Sequence, residues 1–175
     1  MTVTAPAASP EHLNELMIDA IASAQPVGTS EPRVLDAIRA VPRHAFVPGA
    51  SLADAYNPEL AVITKRDTGG RSLSCASVPC LVGAMLEQLD VRDGHRVFEA
   101  GAGTGWNAAL LATLAGPGGH VTTIDIDPEV SAQAAASLER AGFLQGRSGI
   151  MLAQNDLPRE GGEPPAWDAC LLLIL

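Results

Sequence analysis

Apolar positions recur at helical spacing in the first half of the chain and gather into short strand-like runs in the second. Leu13, Leu16, Met17, Ala20 and Ile21 fall three or four residues apart, which predicts an amphipathic helix. Ser9 offers its N-cap and Pro10 a first helical residue whose φ is already set. Residues 1–9 are small and rich in Ala, Pro, Ser and Thr, and read as a frayed tail. Val34, Leu35, Ile38 and Val41 make a second helical face, stopped by Pro42. Residues 42–68 carry scattered prolines and one apolar patch at 60–63, so an irregular connection is expected, with a strand near 61–64 and a turn at Gly69-Gly70. Leu81, Val82, Met85, Leu86 and Leu89 predict a third helix, with Ser77 as its expected cap and Pro79 in its first turn.

After the Asp93-Gly94 turn the pattern changes. A strand at 95–100 runs into a glycine-rich turn, and a helix at 106–114 carries Leu110, Leu111 and Leu114 on one side. A strand at 121–126 follows. Asp127 then caps, and Pro128 opens, a helix with Val130, Ala134, Leu138 and Ala141 on its buried face, which Gly142 ends. Strands at 150–154 and 169–175 complete the series; the last is apolar throughout, as expected of a strand covered on both faces of a parallel sheet. The succession predicts a doubly wound, Rossmann-like, mostly parallel α/β sheet with a helical N-terminal extension. One domain is expected over 10–175, its helical part at 10–93 and its βαβαβ part at 94–175.

Composition narrows the function. The chain has 175 residues, room for one ordinary domain. With 47% hydrophobic and 18% charged residues it is not a disordered chain. Eleven basic residues stand against twenty acidic ones, and Lys65 is the single lysine; a net charge of -9 with no basic stripe opposes nucleic-acid binding. Cys75, Cys80 and Cys170 have neither the spacing nor the histidine partners of a zinc site, and read as free thiols in a reducing compartment, so no metal is expected. No run approaches a membrane span and no leader pattern opens the chain. A cytoplasmic protein is expected.

The stretch that carries chemistry is Val97-Phe98-Glu99-Ala100-Gly101-Ala102-Gly103-Thr104-Gly105. A dinucleotide fingerprint would place its third glycine at 106, which is Trp106; here the pattern is GxGxG, with Glu99 two residues ahead of it. Acid-x-GxGxG is similar to the loop of class I methyltransferases, whose cofactor S-adenosyl-L-methionine has no pyrophosphate but a cationic sulfonium that an acid such as Glu99 would favour. Asp125 ends the second strand 20 residues after Gly105, where a carboxylate can accept from both ribose hydroxyls. Its other reading, a helix cap, is already filled by Asp127. Gly101, Ala102, Gly103, Thr104, Gly105, Asp125 and the neighbouring Ile126 are therefore expected at the cofactor. Asp156, after the third strand, is either an adenine-binding acid or a solvated turn acid.

Further residues resemble the protein-L-isoaspartate O-methyltransferase family over roughly 30–175. Val41-Pro42-Arg43-His44-Ala45-Phe46-Val47-Pro48 is similar to that family's VPRHxFVP segment, with Ala55-Tyr56 at the expected distance; Cys75-Ala76-Ser77-Val78-Pro79 is similar to its TISQP, and Trp167-Asp168-Ala169 to its aromatic-Asp-Ala. Cys75 and Val78 replace the usual Thr and Gln, and Asn155 and Leu157 replace the glycines flanking the family acid at Asp156. The resemblance implies methyl transfer to the α-carboxylate of isoaspartyl proteins or peptides, a repair reaction, with Ser77 acting on that carboxylate. Ser77 also keeps its plain reading as a helix cap, and His44 reads as a packed structural residue. Family members continue beyond the fourth strand, so the resemblance also implies a sheet incomplete after that strand, which leaves three readings: an active short form, an inactive fragment that retains the loop, or an edge covered by another chain, with self-association through 169–175 expected. Tailoring of a ribosomally made peptide is the alternative function, suggested by the stretches 62–67 and 85–90.

Overall fold

The computed structural model describes residues 8–24, 26–144, 149–154 and 166–172. Helix α1 (Pro10–Ser23) starts as expected, with the Ser9 hydroxyl accepting from the His12 N–H at 3.2 Å. Its buried stripe is Asn14, Met17, Ile18 and Ile21, one helical step away from the expected face: Leu16 is 51% exposed. Helix α2 (Pro32–Ala40) buries Val34, Ala37 and Ile38.

The region expected to be irregular is more ordered than its prolines suggest. A 3-10 turn spans Arg43–Phe46. Helix α3 (Leu52–Ala55) is capped by the Ser51 hydroxyl, which accepts from the Asp54 N–H at 3.1 Å. The expected strand is β1 (Val62–Arg66), and it pairs antiparallel with an unexpected partner, β2 (Ser72–Ala76). β2 is short and small-residued, and its exposure runs from open to buried along the strand instead of alternating, so it lacks the period-2 signal that identifies a half-buried strand. Helix α4 (Pro79–Leu89) follows; its N-cap position is Val78, with no side-chain cap bond. The expectation that Ser77 caps this helix is therefore corrected.

Four parallel strands make the main sheet: β3 (Arg96–Ala100), β4 (His120–Asp125), β5 (Gly149–Gln154) and β6 (Ala169–Leu172), in the order β5-β4-β3-β6. Helix α5 (Trp106–Ala115) joins β3 to β4, and α6 (Pro128–Arg140) joins β4 to β5. α5 is not one-sided as expected. It is buried nearly all round, because the sheet lies on one side and α2 on another, and its alanines let both approach closely. One core runs from Met17 and Ile38 through Leu86 and Leu110 to Leu138, joining the N-terminal helices to the sheet. Among the described residues β6 pairs only with β3; Cys170 is exposed while Ala169 and Leu171 are half-buried, so the expected cover on both faces is present on one. Residues 1–7, 155–165 and 173–175, and Asp156 with them, lie outside the described residues.

The strand order fixes where a ligand can sit. From β3 the chain crosses to β4 and β5 on one side, and β6 lies on the other side of β3. In open α/β sheets the crevice at such a switch point, beyond the carboxyl ends of the strands, receives the ligand.

Candidate active site

At the carboxyl end of β3 the chain makes the turn Gly101–Gly105. The N–H groups of Gly101 and Ala102 both donate to the Ile124 carbonyl, at 2.8 and 2.9 Å, tying the turn to β4. Gly103 has φ +52 and Gly105 φ +85, in the left-handed region that side-chain-bearing residues rarely adopt. The two are required for different reasons. A Cβ on Gly105 would lie 3.1 Å from both the Ala134 carbonyl oxygen and Leu138 Cγ, so that glycine allows α6 to pack against the start of α5. A Cβ on Gly103 would face the Cys75 carbonyl across the cavity at an ordinary 3.5 Å.

Asp125 ends β4 beside the turn. Its Oδ2 accepts from the Gly103 N–H at 3.1 Å and its Oδ1 from the Asp127 N–H at 3.0 Å, so the carboxylate is held at one angle. Asp127 caps α6 through Oδ1, accepting from the Glu129 and Val130 N–H groups, as expected from the sequence. Its Oδ2 meets Lys65 Nζ at 2.7 Å, and Glu129 Oε2 lies 2.7 Å from the same ammonium. The hydrogen bond from Lys65 holds the Asp127 carboxyl below the usual carboxylate range. The sole lysine thus clasps the β1–β2 hairpin to the first turn of α6.

Between these walls lies a cavity of about 460 Å³. One side is the glycine turn with Ile124, Asp125 and Ile126. The other is the hairpin, from Leu73 through Cys75 to Ser77, and Trp106 and Asn107 also face it. Ile126 is 84% exposed at its rim, an apolar side chain without protein cover. Ser77 is half-buried, and its hydroxyl has no hydrogen-bond partner among the described residues.

Seven of the residues expected from the sequence line this one cavity: Ser77, Gly101, Ala102, Gly103, Thr104, Asp125 and Ile126. Gly105 stands behind the wall at the α6 contact. Glu99 is fully buried beneath the turn and does not line the cavity. Its Oε1 accepts from Asn107 Nδ2 at 2.7 Å and its Oε2 from the Thr123 hydroxyl at 2.5 Å. Burial pushes its carboxyl up to about 7; the two hydrogen bonds oppose that rise and the Asp125 charge adds to it. Asp156 lies outside the described residues. His44 pairs through Nδ1 with the Tyr56 hydroxyl at 2.6 Å, within the connecting segment. Sequence reasoning missed the hairpin wall, Trp106, Asn107 and the Lys65 clasp. Only Lys65 left a trace there, as the one lysine of the chain.

The parallel sheet, its switch point and the glycine turn define a Rossmann-like methyltransferase fold. The family model for protein-L-isoaspartate(D-aspartate) O-methyltransferase (PCMT) matches residues 13–156, and the chain belongs to that family. It is 40% identical over 111 residues to the protein-L-isoaspartate O-methyltransferase of Aeropyrum pernix, covering 63% of this chain and 40% of that one. It is 38% identical over 147 residues to protein-L-isoaspartate O-methyltransferase 1 of Rhodopseudomonas palustris, covering 83% and 54%. A solved protein-L-isoaspartate O-methyltransferase superposes with TM-score 0.74 at 21% identity, over 91% of this chain and 47% of that one. A Plasmodium falciparum protein assigned to the same activity, solved in complex with S-adenosyl-L-homocysteine, gives 0.72 at 13% identity, over 95% and 73%. The matched segments span between 40% and 54% of the length of these curated relatives.

Proposed function

We propose that the protein transfers a methyl group from S-adenosyl-L-methionine to the α-carboxylate of an isoaspartyl residue in damaged proteins or peptides, the first step of their repair. The observation that carries this reading is the make-up of one cavity, with the glycine turn and Asp125 on one wall and Ser77 on the other. Its volume, about 460 Å³, is that of a small-molecule site.

The residues present suit the cofactor. Asp125, oriented by Gly103 and Asp127, offers carboxylate acceptors for a pair of ribose hydroxyls. Ile126 offers its exposed apolar side chain to a flat ring. Gly101, Ala102, Gly103 and Thr104 give backbone the close approach that an amino-acid tail needs. Glu99 acts from below, holding Asn107 at the cavity wall and placing a titratable carboxyl under the turn. The bound cofactor supplies the methyl group on a positively charged sulfur.

The acceptor chemistry asks little of the protein. A carboxylate is ionised at pH 7, so no general base is needed. The chain's task is to align one oxygen and exclude water. The unpaired Ser77 hydroxyl is available to donate to the other oxygen of that carboxylate, a charge-assisted bond that orients it. The hairpin, clasped by Lys65, closes the cavity on the acceptor side.

Two collateral readings belong to the same proposal. The buried free thiols Cys75 and Cys80 suit a reducing, cytoplasmic setting, and no helix among the described residues is long and apolar enough to cross a membrane. The edge of β6 that is unpaired among the described residues is the proposed site of self-association, for which light scattering on the full protein is the test. The test of the function is incubation with labelled S-adenosylmethionine and an isoaspartyl peptide. Base-labile methyl ester should form on that peptide and not on its aspartyl counterpart. Equal labelling of both, or binding of cofactor without transfer, would remove the isoaspartyl assignment.

A further inference from the structure

Arg43 is fully buried, and among the described residues nothing matches its charge. Its Nη2 donates to the Ala76 carbonyl at 3.1 Å, and its guanidinium carbon lies 4.6 Å from the centre of the Trp106 ring. Among the described residues Nε and Nη1 have no hydrogen-bond partner. Among the described residues no carboxylate pairs with it. The one ionisable group whose charge bears on it among the described residues is Cys75, whose thiol burial pushes up, so it stays neutral at pH 7 and supplies no counter-charge. The guanidinium keeps its proton at neutral pH, its own pKa lowered by burial only to about 10.

Buried arginines ordinarily come with an acid, because a lone charge in an apolar surround is costly. Here the contacts lead to the acceptor side of the cavity. Ala76, whose carbonyl Arg43 holds, and Trp106, on which it stacks, both line it. Ala76 immediately precedes Ser77. The Trp106 ring is fixed in turn by its Nε1–H, which donates to the Val41 carbonyl at 3.0 Å. A positive charge set behind this wall, in a medium that screens it weakly, favours an anion in front of it.

We propose that Arg43 is a positioning residue whose uncompensated charge draws a ligand carboxylate to the Ser77 end of the cavity, and that this carboxylate is the acceptor's. The inference rests on the function proposed above and adds to it the source of the acceptor's charge selectivity. A carboxylate is also present on the amino-acid tail of S-adenosylmethionine, and the two sources are separable.

The experiment measures, in the full protein saturated with S-adenosylhomocysteine, the affinity for an isoaspartyl peptide and for the same peptide with its α-carboxylate made a carboxamide. Wild type should prefer the carboxylate by about tenfold or more, the scale of a charge-assisted contact. Arg43→Met should bring that ratio close to one and leave S-adenosylhomocysteine affinity unchanged. Its Tm should be equal or higher, because an unpaired charge has been replaced by an apolar chain of similar length. Arg43→Lys should keep most of the preference. Retention of the full preference in Arg43→Met would overturn the proposal while leaving the function intact. So would a loss of S-adenosylhomocysteine affinity with the peptide preference preserved, which would give the anion to the cofactor. An Arg43→Met variant that fails to fold, with Arg43→Lys folded but indifferent to the carboxylate, assigns Arg43 to the frame and also overturns it. Wild type that binds S-adenosylhomocysteine but neither peptide would remove the acceptor reading and Arg43's role together.

Discussion

Replacing Glu99 by Gln isolates the one acid of the site that is buried among the described residues. The carboxyl is fully buried and held by Asn107 and Thr123. A glutamine can keep both contacts, its carbonyl accepting from Asn107 and its amide donating to the Thr123 oxygen. Burial raises the carboxyl from 4.5 to about 7 in the folded protein. Between those values the native state binds a proton that the unfolded state has released, so stability falls as pH rises through the window and levels off above it. The whole fall is about 3 kcal/mol, at about 1.4 kcal/mol for each pH unit. Glu99→Gln removes it. Urea denaturation should therefore show the variant more stable than wild type by about 1 kcal/mol at pH 5.5 and by about 3 kcal/mol at pH 8.5. The variant also loses the negative charge beneath the turn, so it should bind cationic S-adenosylmethionine less well relative to neutral S-adenosylhomocysteine. A stability gap that does not change with pH would refute the reasoning, because it would mean that the carboxyl titrates alike in both states.

Three other perturbations probe the walls of the cavity. Gly103→Val forces a β-branched residue to φ +52 and should cost about 1–3 kcal/mol of stability; calorimetry should find S-adenosylhomocysteine binding lost in a chain whose circular dichroism is unchanged. Ser77→Ala should leave stability within about 0.5 kcal/mol, because the hydroxyl caps nothing, while turnover on isoaspartyl peptide falls roughly 10- to 100-fold, the worth of one hydrogen bond to a charge. Lys65→Met should speed S-adenosylhomocysteine release in stopped flow and abolish the acceleration of that release by salt expected of wild type, because the clasp to Asp127 and Glu129 is ionic.

The cofactor half of the molecule was legible because its signals are local. Asp127 before Pro128 marks the start of α6, and Gly142 sits just past its end; the structure has α6 over Pro128–Arg140. The glycine turn needs left-handed backbone at fixed steps, and Gly103 and Gly105 stand at two of them. The errors arise where burial is set by distant elements. Leu16 fits a helical face by spacing, but α1 is rotated by what it packs on, so Ile18 is buried in its place. α5 looked one-sided because leucines are conspicuous, whereas its alanines are buried against α2 and the sheet as fully as its leucines. Ser77 looked like a cap because serine before proline commonly is one. The strand β2 runs on through Ala76 and leaves Val78 at the cap position, which frees the hydroxyl for the cavity.

The hairpin side of the cavity was hidden for a different reason. Its wall is a hairpin held from outside: Lys65 reaches forward 62 positions to Asp127, and Arg43 reaches 33 positions to Ala76. Neither contact leaves a periodicity in the chain. Each is visible only as a compositional oddity, a lone lysine in an acidic protein and an arginine inside a segment otherwise dominated by Val, Pro and Phe. Both oddities are cations, and both attach to the same short hairpin, Lys65 at the mouth through β1 and Arg43 behind it through β2. The two differ in what neutralises them. Lys65 is answered by two carboxylates, one in the cap and one in the first turn of α6, and so fastens the wall. Arg43 is answered by none among the described residues and so gives the wall a charge. A chain of net charge -9 repels anionic peptides at long range. On the proposed reading, an unneutralised cation directly behind the β2 wall is the short-range feature that would let such a protein accept a carboxylate in this cavity.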